Sequence, residues 1–276
     1  MSTKKKTLYV SDLDGTLLGS DSRLSRTTVA LLNRAIAQGA LFTVATARTP
    51  ATAVPLMAEV ATNLPLIVLS GAAMWDNARH GYTHTQALPP STVARITDIF
   101  AAHRLNPFIY RRCGDLLHVT HRGTLSDVER EFVRQRQDTP FKVFHLGDDP
   151  TGDEGEALLV FAMNDYERLK PAHEEISAHT DCHTALYLDN VDPDLGLLEV
   201  YAPGTTKAAA IARLAAQLGV ERTVVFGDNL NDIPMMQAAT VGVAVENAFP
   251  PVKEVADVII GTNDSDAVAR YIASEL

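Results

Sequence analysis

Residues 7–18 read TLYVSDLDGTLL, an apolar run that ends on two carboxylates, Asp12 and Asp14, and a glycine, Gly15. The stretch Thr7–Ser11 is β-branched and aromatic enough for a buried strand, and Asp-Gly is a turn signal. Thr27–Ala37 follows with Val29, Leu32 and Ile36 at helical spacing. Leu41–Thr46 (LFTVAT) is a second strand, Thr49-Pro50 places a threonine N-cap and a first-turn proline before a helix, and Leu66–Leu69 (LIVL) is a third strand. Continuous apolar strands alternating with helices predict an α/β fold with an open parallel sheet and helices on both faces.

The same alternation returns near the C-terminus. Lys207–Leu218 reads as a helix, Thr223–Phe226 (TVVF) as a strand, Asp232–Ala238 as a short helix, Val241–Val245 and Val258–Ile260 as strands, and Ser265–Ser274 as a closing helix. Between the two regions the pattern changes. Ser91–His103, Leu125–Arg136 and Tyr166–His179 are helical, the last with Pro171 as a kink or restart. Phe108–Arg111 and Leu116–Thr120 form a hairpin turning at Gly114-Asp115, and Ala157–Met163, Ala185–Leu188 and Leu197–Tyr201 are further strands. Paired strands predict an antiparallel sheet with helices on one face. Residues 82–202 are therefore expected as a second α/β domain inserted into a core made of 1–81 and 203–276.

A chain of 276 residues has room for two domains. The formal charge of −10 argues against nucleic acid, which requires a basic surface, but a lysine, a metal ion and backbone N–H groups can still gather a small anion locally. Two cysteines, Cys113 and Cys182, make no disulfide framework, and a reduced, cytoplasmic compartment is expected. Lys4–Lys6 resembles the start of a signal peptide, yet the apolar run after it stops at Asp12; no membrane segment is expected.

Ligands of open parallel sheets bind beyond the carboxyl ends of the strands. There the sequence places Asp12-Leu13-Asp14-Gly15-Thr16, Thr46, and Gly227-Asp228-Asn229-Leu230-Asn231-Asp232, with Lys207 at a helix start. Asp12 and Asp228 suit a hard divalent cation, Mg²⁺ above all. A carboxylate beside such an ion can attack phosphorus, and Asp14 can act as general acid and then base. Thr46 and Lys207 supply the donor and the positive charge that a transferring phosphoryl group needs. Taken singly, each has a plainer reading: an Asp-Gly turn, a strand-end threonine, a surface lysine. DxDGT alone arises by chance on the order of once in several hundred chains of this length, but GDxxND in the right order and context makes coincidence negligible.

With DLDGTLL, VATAR, LEVYAPGTTKAAA and VVFGDNLNDIPMM in this order, the chain resembles the haloacid dehalogenase superfamily phosphohydrolases, in particular their Cof-type sugar-phosphatase branch. The resemblance covers nearly the whole chain and implies a Rossmann-like core with an α/β cap inserted between the second and third motifs. That placement agrees with the 34 residues from Asp12 to Thr46 against 161 from Thr46 to Lys207. It implies Asp12 as nucleophile, Asp14 as acid/base, and Asp12, the Asp14 carbonyl and Asp228 as ligands of Mg²⁺. Phosphate would be held by the Leu13 and Ala47 N–H groups, Thr46, Lys207 and Asn231, with Asp232 orienting Lys207 or a metal-bound water. Three positions depart from the family pattern: Ala47 stands for a glycine, Ala208 for a glycine, and Ser70 for an asparagine.

The histidines, including His118, His121, His179 and His183, make no zinc pattern with a second ligand pair, and the acidic runs 148–154 and 189–194 read as solvated loops. Trp75 reads as packing, and Arg111 and Arg112 as a solvated pair. The expected function is a Mg²⁺-dependent phosphatase of small phosphorylated metabolites, sugar phosphates first. The alternatives are a phosphotransferase or phosphomutase using the same aspartyl-phosphate, and a non-catalytic binding module on the same fold.

Overall fold

The structure is a computed structural model and describes residues 6–147, 151–189 and 192–276. Lys4 and Lys5, Asp148–Pro150 of one acidic run, and Asn190 and Val191 of the other lie outside the described residues. The chain divides into two compact units: residues up to His84 together with those from Thr206, and Thr85–Thr205. The division falls three residues beyond each of the boundaries expected at 82 and 202.

The first unit opens with β1 (Thr7–Ser11), α1 (Arg26–Ala37), β2 (Leu41–Val44), α2 (Pro50–Met57), β3 (Leu66–Val68), β4 (Ala73–Asp76) and β5 (Gly81–Thr85). The second holds α3 (Pro90–Ala102), β6 (Phe108–Cys113), β7 (Leu116–His121), α4 (Asp127–Arg134), β8 (Lys142–Leu146), β9 (Glu156–Asp165), α5 (Tyr166–His179), β10 (His183–Leu188) and β11 (Leu195–Tyr201). The first unit then resumes with α6 (Lys207–Leu218), β12 (Arg222–Gly227), α7 (Ile233–Ala238), β13 (Val241–Val245), α8 (Pro250–Val255), β14 (Val258–Ile260) and α9 (Ala267–Ser274).

The main sheet is parallel in the order β14-β13-β12-β1-β2, so β1 lies between β2 and β12. Leu8, Val10, Val224, Val225 and Phe226 are fully buried within it, as continuous apolar strands require. Ser11 pairs with Phe226, which brings the ends of β1 and β12 to the same sheet edge although they lie 215 positions apart. One expectation is corrected here. β3 joins the parallel sheet only through a single bridge, Ala45 to Ile67; its ladder is antiparallel, with β4, in a separate sheet β3-β4-β5. Trp75 on β4 is fully buried, edge-on to Tyr82 with ring centroids 4.9 Å apart.

In the second unit the sheet order is β10-β11-β9-β6-β7-β8. It is antiparallel except for β7 and β8, which run parallel, and that corrects the all-antiparallel expectation. Its helices also occupy both faces, not one. Ile96 and Phe100 of α3 and Leu169 of α5 cluster with Val160 of β9, whereas Phe132 of α4 packs on Phe161, the next residue of that strand and therefore on the opposite face. Pro171 lies inside an unbroken α5, and no helix of the described residues is long and apolar enough to cross a membrane.

Candidate active site

Asp12 follows the last residue of β1 in extended backbone (φ −62°, ψ 161°), and its N–H donates to the Phe226 carbonyl of β12 at 2.9 Å. Its neighbour across the sheet edge is Asp228, one residue past β12. Both carboxylates are buried. Lys207, the first residue of α6, donates from Nζ to Asp12 Oδ1 at 2.5 Å and to Asp232 Oδ1 at 2.8 Å. An ammonium is unfavourable at the positive end of a helix, so these two carboxylates hold it there against the dipole. Burial alone would lower the Lys207 amine, but Asp12 and Asp232 outweigh it and keep the ammonium above the usual lysine value.

Asp232 is fully buried and both of its oxygens are engaged. Oδ1 takes Lys207, and Oδ2 accepts the N–H groups of Asp228 and Asn229 at 3.1 Å each. Asp228 is in turn fixed by Thr16, whose hydroxyl donates to Oδ1 at 2.7 Å. Thr16 is a functional residue that its place in the DLDGT run could have flagged, since it is the only hydroxyl there. Two glycines make the packing possible. A Cβ on Gly15 (φ +76°) would stand 2.3 Å from Asp228 Oδ2, and one on Gly227 would stand 2.5 Å from the Asp232 Cβ. The Asn247 amide donates to the Gly15 carbonyl at 2.8 Å and braces the turn from the β13 side.

Three carboxylates thus face one ammonium, and the excess negative charge shows in their acidity. Burial, with Asp232 and Asp228 adding, pushes the Asp12 carboxyl up to about 8 against the pull of Lys207. Burial likewise raises Asp228 to about 6 against the Thr16 hydrogen bond. Asp12, Asp228 and Asp232 offer oxygens within 4.8 Å of one another, the one such cluster among the described residues. Asp12 Oδ2 and Asp228 Oδ2 accept no hydrogen bond among the described residues. An oxygen-only, buried, over-anionic set fits a small divalent cation.

Thr46 is buried just past β2; its N–H donates to the Ile67 carbonyl at 3.0 Å, and its hydroxyl accepts from the Arg48 N–H at 3.1 Å. The Leu13 and Ala47 N–H groups have no acceptor among the described residues. Ala47 has no positive φ, so alanine stands there without strain where the family pattern has glycine. Asn231 is exposed on the turn between Asp228 and Asp232. Asp14 is the one expected group turned elsewhere. Its half-exposed carboxylate takes a two-pronged bond from Arg48, with Nε at 2.7 Å and an Nη nitrogen at 2.6 Å. Arg48 was read only as part of VATAR, and nothing in its spacing announces this partner.

A second glycine-dependent contact sets the height of Lys207. Leu69 and Ser70 both adopt left-handed backbone (φ 53° and 52°), and Gly71 (φ +100°) leaves no room for a Cβ, which would lie 2.3 Å from the Thr206 carbonyl. Thr206 caps α6 by accepting the Ala209 N–H at 3.0 Å, so the 69–71 turn bears directly on the residue before Lys207. Thr49 occupies the N-cap position of α2, but its buried hydroxyl caps nothing, contrary to expectation. In the second unit, Arg111 and Arg112 face Asp153 and Glu156 as ion pairs.

The family model of haloacid dehalogenase-like hydrolases matches residues 9–272. The pyridoxal phosphate phosphatase YbhA of Escherichia coli is 27% identical over 275 residues, covering 96% of this chain and 97% of its own. The 5-amino-6-(5-phospho-D-ribitylamino)uracil phosphatase YcsE of Bacillus subtilis is 28% identical over 268 residues, covering 96% and 94%. A haloacid dehalogenase-like hydrolase of Bacteroides thetaiotaomicron superposes with a TM-score of 0.80 at 26% identity over 99% of this chain and 100% of its own. With the match running through every segment that meets at the sheet edge, the chain belongs to the haloacid dehalogenase-like hydrolases, as a phosphohydrolase of the Cof type.

Proposed function

We propose that the protein hydrolyses small phosphorylated metabolites, sugar phosphates among them, through a phosphoryl group carried on Asp12. The observation that carries this reading is Lys207, clamped between Asp12 and Asp232 with Asp228 beside them. That arrangement holds one carboxylate as nucleophile and a fixed cation where the equatorial oxygens of the phosphoryl group would lie. Two relatives named for phosphorylated substrates support the class of compound.

Asp12 Oδ2, which accepts no hydrogen bond among the described residues, attacks phosphorus as the bond to the leaving oxygen breaks, and Asp14 gives that oxygen its proton. A water then attacks the same phosphorus, loses its proton to Asp14, and releases inorganic phosphate and the Asp12 carboxylate. Asp14 performs either transfer only after leaving its fork on Arg48. The Leu13 and Ala47 N–H groups, Thr46, Lys207 and Asn231 hold the phosphoryl oxygens. Mg²⁺, held by Asp12, Asp228 and the Asp14 carbonyl, would supply charge neutralisation for the incoming phosphate. Asp232 positions Lys207 and the β12 turn. Choice among metabolites falls to residues 85–205, because a phosphate common to every substrate supplies no discrimination.

The test is release of inorganic phosphate from p-nitrophenyl phosphate and a panel of sugar phosphates, with and without exhaustive EDTA, in wild type and Asp12→Asn. Wild type turns over and is silenced by EDTA, and the variant folds but is inactive. Turnover retained in Asp12→Asn ends the covalent reading; phosphate passed to an added sugar in preference to water makes the protein a phosphotransferase.

A further inference from the structure

Arg48 is a charged group that the chemistry above leaves without a task, and it holds the one residue of that chemistry that must move. Its fork takes both oxygens of Asp14, with Nε on Oδ2 at 2.7 Å and one Nη nitrogen on Oδ1 at 2.6 Å. The other Nη nitrogen makes no hydrogen bond among the described residues. The backbone of Arg48 is anchored on both sides. Its N–H donates to the Thr46 hydroxyl at 3.1 Å, and its carbonyl accepts the Leu69 N–H at 2.9 Å. The stem of the side chain therefore starts from a fixed point, one residue past the Ala47 N–H that awaits a phosphoryl oxygen. The fork on Asp14 holds the guanidinium charge above the usual arginine value against partial burial, and Asp12 adds to it. The nucleophile is thus within electrostatic reach of Arg48.

The plain reading is an ion pair that steadies two turns. A partly exposed pair of this kind contributes little to stability. It also restrains the acid of the reaction, which a merely structural pair has no reason to do. Carboxylate and phosphoryl groups both offer a guanidinium fork two oxygens to accept its paired N–H groups. Asp14 therefore occupies on Arg48 the place that a phosphoryl group fits.

We propose that Arg48 is a phosphoryl-binding residue that Asp14 occupies until substrate arrives, so that the arriving phosphoryl group takes the fork and frees Asp14 for the leaving oxygen. The inference rests on the phosphatase reading and adds to it a coupling between binding and the acid. The exchange moves hydrogen bonds only; no proton is transferred and no covalent bond changes. Because Asp14 and the phosphoryl group compete for one fork, each weakens the hold of the other, and phosphate affinity is lowered by the work of displacing Asp14.

The test is binding of inorganic phosphate in the presence of Mg²⁺, read by calorimetric titration without turnover, across a double-mutant cycle of Arg48→Met and Asp14→Asn. Phosphate affinity is expected to fall at least tenfold in Arg48→Met. It is expected to rise at least threefold in Asp14→Asn, where the competitor for the fork is weakened, and that rise is lost in the double variant. Arg48→Gln, which keeps a polar side chain, repeats the cycle where Arg48→Met does not fold. A rise of equal size with and without Arg48 reduces the effect of Asp14 to its charge and overturns the exchange. Phosphate affinity unchanged in the Arg48 variants, or no rise in Asp14→Asn, overturns it as well. Wild type that binds no phosphate fails the phosphatase reading and the exchange together, whereas wild type that binds it while the variants do not respond fails the exchange alone.

Discussion

Lys207 and Lys142 are equally buried, each 4% exposed, and their surroundings differ in kind. Lys207 sits between two carboxylates at 2.5 and 2.8 Å, and its charge is reinforced. Lys142 sits over a phenylalanine beside an arginine, and its charge is opposed. Burial therefore does not decide what a lysine is for; the partners do. In the first unit the counter-charges are built into the chain, so Lys207 keeps one position while a substrate comes and goes. In the second, Lys142 has no carboxylate partner among the described residues, and burial and Arg136 oppose its charge.

Neutralising each lysine separates the two cases most strongly. Lys207→Met leaves three buried carboxylates unopposed; the loss is expected to be about 10²–10³-fold in kcat/KM and about 3–5 kcal/mol in stability. Lys142→Met removes a buried charge that has no carboxylate partner among the described residues and leaves stability unchanged or higher. Urea unfolding of metal-free protein measures both, and equal destabilisation by the two would erase the distinction drawn here.

The carboxylate side sharpens it next. Thr16→Val removes the bond that aims Asp228 and should weaken divalent-cation affinity by about 10–100-fold in calorimetric titration, with little change in fold. Cation affinity should also fall steadily from pH 8.5 to 6, because protons compete at Asp12, raised to about 8, and at Asp228, raised to about 6. In metal-free protein the sign for stability follows from the same raised values. The folded state holds protons that the unfolded chain has released, so a destabilisation that is full above about pH 8 is relieved as pH falls toward the ordinary carboxyl range. Metal-free thermal stability that climbs with pH across that window would contradict this.

The smallest effect tests the support beneath Lys207. Ser70→Asn places a residue that accepts left-handed backbone more readily at φ 52°, and stability should rise by less than about 0.5 kcal/mol with kcat unchanged. A large change in kcat would mean that Ser70 does more than hold the turn.

Much of this was readable in the residues. Strands that are buried on both faces must be apolar throughout, so β1, β2, β12 and β13 stand out, and a carboxylate right after such a strand has few structural reasons to be there. Asp12 and Asp228 stand out for that reason, whereas Thr46 and Lys207, each unremarkable alone, gain meaning only from the joint order of the motifs. The misses have local causes. The β4–β5 hairpin mixes Trp75 and Tyr82 with Asp76 and, in the turn between them, Asn77 and His80, and shows no clean alternation. β8 begins with a buried lysine, which looks like a loop residue, and α8 begins with two prolines. Arg48 was hidden because its partner Asp14 is 34 positions away and the pairing depends on how two turns face each other. No periodicity records that.

The position of β1 also governs how the chain comes into being. β2 is available to it within 40 residues, but its other neighbour begins at Arg222, 215 positions after Thr7. During synthesis the apolar edge Thr7–Ser11 therefore waits unpaired while those residues are made, roughly 10–40 seconds at ordinary elongation rates. An open apolar edge is a template for pairing with other chains. The nascent first unit thus passes through an aggregation-prone interval set by topology, and until β12 docks it holds Asp12 with neither Asp228 nor Lys207 in place.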